Sequence, residues 1–161
     1  MVIRILFVCL GNICRSPAAE GVFLHLARAA GLSHRFSVDS AGTGAWHLGE
    51  AAEARMRAAA GTRGIALPSA GRQVTAADFA RFDLILAMDS SNLAHLRRLA
   101  PAEHQNKIRL FRDYDPEDPG ADVPDPYYGG PDGFEDVLDI VTRTGQALLA
   151  ELAREPDDRD R

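Results

Sequence analysis

The chain has 161 residues, a formal net charge of −5, 46% apolar residues and 25% charged residues. This length and composition predict one globular domain, and the scattered basic residues lack the basic patch of a typical nucleic-acid binder. No apolar run reaches the ~18 residues of a membrane span, and no leader resembles a signal peptide. We therefore expect a cytoplasmic protein that binds neither nucleic acid nor membrane.

Short apolar segments alternate with helical segments along the chain. The strand segments are residues 4–8, 36–40, 83–88 and 107–111, and the helical segments are residues 17–30, 50–60, 78–82, 90–99 and 134–152. This alternation predicts an α/β fold: a single domain with a doubly wound, parallel, four-stranded sheet and helices on both faces. We assign residues 1–154 to this domain and expect the charged residues 155–161 to form a disordered tail.

The first helix carries clear signals at both ends. Ser16 is a good N-cap, Pro17 suits the first helical position, and Glu20 adds negative charge near the first turn. We expect this helix to end at Gly31.

Residues 9–16 (CLGNICRS) join the first strand to this helix. In parallel sheets, ligands bind beyond the carboxyl ends of strands, where a helix N-terminus attracts anions. A helix N-terminus and a cation both favour the nucleophilic thiolate, and Cys9 has both available. Arg15 offers a planar fork for two phosphate oxygens. These features predict that Cys9 is a nucleophile and Arg15 a phosphate clamp; the plainer alternative is a buried cysteine and a surface arginine in an ordinary turn.

The loop between these two residues is suited to wrapping an anion. Gly11 has the freedom that a tight wrap needs, and Asn12 tolerates a left-handed backbone. The backbone N–H groups of residues 10–15 can form an anion nest. We expect the Ser16 hydroxyl to donate to the Cys9 thiolate.

At these residues the chain resembles the low-molecular-weight protein tyrosine phosphatases. Residues 8–17 (VCLGNICRSP) match the signature of that family almost letter for letter. The resemblance covers about residues 3–153 and continues through residues 39–43 (DSAGT), 72–73 (RQ), 82–89 (FDLILAMD), 92–93 (NL) and 125–128 (DPYY).

The resemblance implies roles for particular residues. It makes Asp125 the general acid that protonates the leaving group and then the base that activates water. Other aspartates share the loop of residues 113–132, and from the sequence alone they read as a solvated acidic turn. Trp46 and Tyr127 are expected to form walls for a phosphotyrosine ring, and Tyr128 is expected to be a second wall or a phosphorylation target. The residues expected to support the loop or bind phosphate are Leu10, Gly11, Asn12, Ile13, Cys14, Ser16 and Ser40.

Two more expectations concern the loop. Cys14 is either a small packed residue or, as the resemblance suggests, a partner that traps oxidised Cys9 as a reversible disulfide. Family members often carry a histidine that braces the loop asparagine, but Ser69 stands at that position here. Its shorter side chain predicts a brace that is lost or bridged by water.

The predicted activity is hydrolysis of phosphotyrosine in proteins, and of small aryl phosphates, through a cysteinyl-phosphate intermediate. We expect a monomer without metal or cofactor, inhibited by phosphate and other oxyanions that resemble the product. An arsenate reductase with an internal cysteine relay is excluded because both cysteines lie in one loop, although one that uses an external thiol stays open. A non-catalytic phosphate binder would be expected to lack Cys9, Arg15 or Asp125. A dinucleotide site at Gly42-Thr43-Gly44 lacks the third glycine of its fingerprint.

Overall fold

A four-stranded, all-parallel sheet forms the centre of the protein. The computed structural model describes residues 2–126, 130 and 132–155. The strands lie side by side in the order β2-β1-β3-β4. They are β1 (Ile3–Cys9), β2 (Phe36–Gly42), β3 (Leu84–Ala87) and β4 (Ile108–Leu110). The predicted fold class is confirmed.

Helices cover both faces of the sheet. On one face lie α1 (Arg15–Ala29), α2 (Ala54–Gly61) and α5 (Asp132–Ala153), and on the other lie α3 (Ala76–Arg81) and α4 (Ser90–Leu99). Short 3₁₀ turns occupy Ser33–Arg35, Ala102–Lys107 and Phe111–Tyr114.

The side chains of β1 alternate between two apolar cores. Ile5 and Phe7 pack on the side of α1 and α5, whereas Leu6 and Val8 pack on the side of α3 and α4. The Phe7 ring lies 5.2 Å from that of Phe111, edge to face. Because both faces of β1 are buried, the strand reads as a continuous apolar run rather than an alternating one.

The order of the strands fixes where a ligand can bind. From β1 the chain crosses to β2 on one side, and it then returns to β3 on the other side of β1. Such a reversal opens a crevice at the carboxyl ends of the strands. Cys9 is the last residue of β1, so it stands at this crevice.

Four helix starts differ from the predictions: α3 and α5 each begin two residues earlier, at Ala76 and Asp132, and the other two differences have a visible cause. The first helix begins at Arg15 rather than Pro17, and Ser16 is not its cap because the Ser16 hydroxyl faces the loop instead. The second begins at Ala54 rather than Glu50, since the Glu53 carboxylate caps it by accepting from two backbone N–H groups. The Asp89 side chain caps α4, and Gly31 ends α1 with a φ of 72°, the latter as predicted.

Some predictions fall outside the described residues. Tyr127 and Tyr128 are among them, and so is residue range 156–161 of the expected tail. Within the described part of the chain, no helix is long and apolar enough to cross a bilayer.

Gly21 and Gly61 make a matched test of the packing between α1 and the segment that follows α2. A Cβ on Gly21 would lie 2.8 Å from the Ala66 carbonyl oxygen and 2.4 Å from a Leu67 methyl, whereas nothing lies within 4 Å of a Cβ on Gly61. We expect Gly21→Ala to lower the free energy of unfolding by about 1–3 kcal/mol through overpacking. Gly61→Ala should raise it by roughly 0.5–1 kcal/mol through lower backbone entropy in the unfolded state. Urea unfolding measures both, and a Gly21→Ala variant as stable as the parent would contradict this packing.

Candidate active site

The loop after β1 curls because backbone donors from three directions hold its carbonyl groups outward. The N–H groups of Thr43 and Gly44, just after β2, donate at 2.9 Å each, and that of Glu53 donates at 2.7 Å. The accepting carbonyls are those of Cys9, Leu10 and Ile13, respectively. With these carbonyls outside, backbone N–H groups can turn to the concave side, which is the arrangement of an anion nest.

Asn12 fixes the shape of the curl from within. Its φ of 57° is left-handed, as expected for an asparagine in a tight loop. Its side-chain amide donates to Ser16 Oγ at 2.8 Å and to Ser40 Oγ at 3.0 Å. Its side-chain oxygen accepts from the Arg72 N–H at 3.0 Å. The amide therefore ties the loop to α1, to β2 and to the segment after α2.

The Cys9 sulfur lies at the floor of this loop. The residue is 3% exposed, and its Sγ is 3.0 Å from Ser16 Oγ and 3.3 Å from the Asn12 backbone N–H. Because Ser16 Oγ already accepts a hydrogen from the Asn12 amide, its own hydrogen is available for Sγ. Two donors aimed at sulfur stabilise a thiolate.

Arg15 is buried beside the sulfur and is held by groups far away in the chain. Its Nη1 donates to Asp89 Oδ2 at 2.7 Å and to the Val123 carbonyl at 3.1 Å. Burial alone would lower the pKa of Arg15, but the nearby Cys9 and the carboxylate of Asp89 outweigh it and raise the pKa. With Nη1 occupied, the edge formed by Nε and Nη2 is left for two oxygens of a ligand.

Cys9, Arg15 and Asp125 border one cavity of about 320 Å³. The Asp125 carboxylate is 39% exposed, and its Oδ2 lies 3.7 Å from Arg15 Nη2. The other described residues that line the cavity are Leu10, Gly11, Ile13, Cys14, Trp46 and His47. Within the described ranges, no three His, Cys, Asp or Glu side chains converge as a metal site would require.

Trp46 forms an open wall of the cavity. Its side chain is 68% exposed, yet its position is defined because the ring covers Gly44, where a Cβ would meet the ring carbons. The neighbouring His47 also lines the cavity, and its Nδ1 is 2.6 Å from Glu50 Oε2. The resemblance had implied Trp46 as a wall of the site.

The expectation of a missing brace at Ser69 is corrected by a buried carboxylate. Ser69 Oγ donates to Glu20 Oε1 at 2.8 Å, and Ser40 Oγ donates to the same oxygen at 2.7 Å. Ser40 in turn accepts from the amide of Asn12. The brace is therefore kept, and it runs from Ser69 through Glu20 and Ser40. Glu20, expected only to add negative charge near the first turn, is 6% exposed.

Cys14 borders the cavity as a buried free thiol. Burial raises its pKa to about 12, and the neighbouring Cys9 adds to the shift. Cys14 is therefore a neutral thiol at physiological pH.

Sequence reasoning missed three residues that support the site. Asp89 caps α4 with one carboxylate oxygen and holds Arg15 with the other. Arg72 pairs with Asp39 and with the fully buried Asp78, which fixes the backbone that reaches Asn12. Glu20 is the third. Arg72 and Asp89 stand in stretches that carry the family resemblance, whereas the only signal for Glu20 was its apolar neighbours, which is weak by itself.

A parallel α/β sheet with a Cys-x₅-Arg loop at the end of its first strand defines the class: a phosphatase with a cysteine-based loop. Residues 4–158 match the family model described as low molecular weight phosphotyrosine protein phosphatase. The chain belongs to this family.

Relatives of this chain cover it almost completely. A low molecular weight protein-tyrosine-phosphatase of Streptomyces coelicolor is 49% identical over 99% of both chains. The low molecular weight phosphotyrosine protein phosphatase of Homo sapiens is 42% identical over 90% of this chain and 92% of its own. Among solved structures, a protein tyrosine phosphatase from Entamoeba histolytica with Hepes in the active site superposes with a TM-score of 0.91 at 41% identity, covering 94% of this chain and 97% of that one.

The buried Glu20 predicts a pH dependence of stability. Burial raises its pKa, and the hydroxyl groups of Ser40 and Ser69 oppose the shift only in part. The folded state therefore binds a proton more tightly than the unfolded state, so stability falls as pH rises through the raised pKa. Glu20→Gln does not titrate. The unfolding free energy of the parent minus that of Glu20→Gln should decrease between pH 4 and pH 7, as measured by urea unfolding. A difference that stays constant or grows would contradict the raised pKa.

Proposed function

We propose that this protein hydrolyses phosphotyrosine in proteins, and small aryl phosphates, through a cysteinyl-phosphate intermediate. The observation that carries the proposal is the convergence of three groups on one cavity at the end of β1: Cys9 Sγ, the free edge of Arg15 and the Asp125 carboxyl group. These are a nucleophile, a cation for the phosphoryl oxygens and a source of a proton.

In the first step the Cys9 thiolate attacks phosphorus. The S–P bond forms while the bond from phosphorus to the phenol oxygen breaks, and Asp125 gives its proton to that oxygen. The loop N–H groups and the Nε and Nη2 groups of Arg15 bind the three non-bridging oxygens. Because the donors are fixed before the reaction, little reorganisation accompanies the charge that develops.

In the second step water attacks the same phosphorus. Asp125, now a carboxylate, takes a proton from the water, and the S–P bond breaks to release phosphate and the thiolate. The Ser16 hydroxyl, 3.0 Å from Sγ, stabilises the thiolate as it leaves. A dead-end phosphoenzyme is thereby avoided.

The walls of the cavity favour an aryl group over a charged one. Leu10, Ile13 and Trp46 present apolar surface above the loop, which suits a phenyl ring. One structural relative, at 34% identity and a TM-score of 0.87 over 96% of this chain and all of its own, is titled a Drosophila arginine phosphatase. A guanidinium leaving group would be served better by several carboxylates, but among the described lining residues only Asp125 carries one.

The same proposal includes the surroundings of the enzyme. A cysteine nucleophile requires a reducing compartment, and both cysteines are free, which supports a cytoplasmic location. Phosphate and other oxyanions should compete with substrate for the loop. A monomer suffices for this proposal, since one chain supplies the nucleophile, the phosphate clamp and the acid of one cavity.

Turnover of a phosphotyrosine peptide tests the proposal, with phosphoserine and phosphoarginine as comparison substrates. We expect phosphotyrosine to give the highest kcat/KM, and Cys9→Ser to lower kcat by at least about 10⁴-fold while phosphate still binds. Phosphate binding, measured calorimetrically, serves as the control for an intact loop. A Cys9→Ser variant with substantial turnover would refute the covalent route, and a preference for phosphoarginine would refute the substrate class.

Cys14 generates a redox prediction. Peroxide oxidises the Cys9 thiolate to a sulfenic acid, and attack by the Cys14 sulfur then forms a disulfide and releases water. Burial is the main cause of the raised pKa of Cys14, and oxidation removes the second cause, the charge on Cys9, which lowers that pKa toward its ordinary value. After peroxide and then dithiol, Cys14→Ser should recover about fivefold less of its own starting activity than the parent. Equal recovery would exclude the protective disulfide.

A further inference from the structure

The segment that leads to Asp125 starts from a buried ion cluster around Asp115. Asp115 is 1% exposed, and its carboxylate accepts from Arg112 Nε at 2.9 Å and from Arg143 at 2.8 and 2.9 Å. The backbone N–H of Glu117 donates to it as well, at 2.9 Å. Hydrogen bonds from Arg143 contribute most to holding the pKa of Asp115 well below its ordinary range. The carboxylate is therefore a permanent anchor for both arginines.

Arg112 uses its other end to hold the chain near the proposed acid. Its Nη1 donates to the Asp122 carbonyl at 2.7 Å, and the residue is 8% exposed. The side chain of Asp122 accepts from the N–H and the hydroxyl of Ser90, at 2.9 and 3.0 Å. The planar guanidinium thus links the buried anchor to the backbone three residues before Asp125.

The next residue along the chain connects this segment to the active site. Val123 donates its N–H to the Met88 carbonyl at 2.7 Å, and its own carbonyl accepts from Arg15 Nη1 at 3.1 Å. Residues 122 and 123 are therefore held by α4, by the end of β3 and by the phosphate clamp. Two residues further along, Asp125 Oδ2 lies 3.7 Å from Nη2 of the same Arg15.

We propose that Arg112 is a positioning residue for proton transfer, because its tether on the Asp122 carbonyl sets where the Asp125 carboxyl group stands. The inference rests on the proposed function of Asp125 and adds a residue to it. Proton donation needs a heavy-atom distance of about 2.6–3.2 Å to the leaving oxygen, so a shift of one ångström in the segment weakens it. Arg112 touches neither substrate nor reacting atoms, and it acts through the backbone.

Arg143 provides a matched control. It binds the same carboxylate of Asp115, and its further partner is the exposed Glu117, at 2.8 Å. Removing Arg143 weakens the cluster without removing the tether on Asp122. The two arginines thereby separate the stability of the cluster from the position of the acid.

The experiment compares kcat/KM for two substrates. The leaving group of phenyl phosphate is phenol, which is poor, and that of p-nitrophenyl phosphate is p-nitrophenol, which is good. A general acid matters most for the poor leaving group, so the ratio of the two values reports on the acid alone. We expect Asp125→Asn to lower the ratio by about 100-fold and Arg112→Lys by about tenfold. Lysine keeps a charge for Asp115 but has no fork to reach two acceptors. Arg143→Gln should lose stability in urea while keeping the parental ratio.

The outcomes distinguish a failure of Asp125 as the acid from a failure of Arg112 as its positioning residue. If Asp125→Asn keeps the parental ratio, the acid assignment of the proposed function fails, and this inference fails with it. If Asp125→Asn lowers the ratio but Arg112→Lys does not, Arg112 has no positioning role. The same conclusion follows if Arg143→Gln lowers the ratio as much as Arg112→Lys.

A second variant covers the case in which Arg112→Lys does not fold. Asp122→Ala removes the exposed side-chain bonds to Ser90 on the same segment and leaves the buried cluster intact. We expect this variant to lower the ratio of the two kcat/KM values by about threefold, because the hydrogen bonds that hold residue 122 to Ser90 are lost. An unchanged ratio in folded Asp122→Ala would overturn the proposal.

Discussion

The active site depends on one constraint: a short loop must keep its carbonyl groups outside and its N–H groups inside a single turn. Asn12 meets this constraint by combining a left-handed backbone with three side-chain hydrogen bonds to separate parts of the chain. An unpaired polar group in such a buried place would cost about 1–3 kcal/mol, so the network is effective only because each member has a partner. The sheet supplies those partners, since β1 and β2 run parallel and end together.

Charge is balanced around the loop by groups that come from distant parts of the sequence. Arg15 brings a positive charge into the buried phosphate site, and the Asp89 carboxylate compensates this charge at a distance of 2.7 Å. On the other side, Arg72 compensates Asp39 and the buried Asp78. Each arginine has at least one partner on another element, so the ion pairs also hold the elements together. A buried pair of this kind is strongly destabilised when one partner is removed.

The parts of the protein that local chemistry decides were predictable from the sequence. The sheet and its helices follow from alternating apolar and amphipathic segments, and the curl at Asn12 follows from the tolerance of asparagine for positive φ. The role of Glu20 was not predictable in this way, and Ser16, correctly expected to face the Cys9 sulfur, was wrongly expected to cap the helix as well. A serine at a helix start reads as a cap, and a glutamate in a first turn reads as a charge that favours the helix dipole. Only the tertiary structure places Ser40 and Ser69 against Glu20, from positions 20 and 49 residues further along the chain.

The same limit applies to the far side of the cavity. An acidic loop with several aspartates gives no sign of which one is buried, because Asp115 differs from its neighbours by pairing with Arg143 of α5 as well as with the nearby Arg112. The resemblance to a family singled out Asp125, but it did not reveal what holds that residue in place. Supporting residues are therefore harder to read from sequence than the groups that carry the chemistry.

Trp46 has a consequence for how the protein can be observed. It is the one tryptophan among the 161 residues, and it stands at the rim of the cavity with most of its ring in water. All indole emission of the protein therefore originates beside the phosphate loop. A ring that stacks on the indole replaces water around it and changes the polarity that the excited state experiences. The enzyme thus carries its own optical reporter of occupancy, with no label attached.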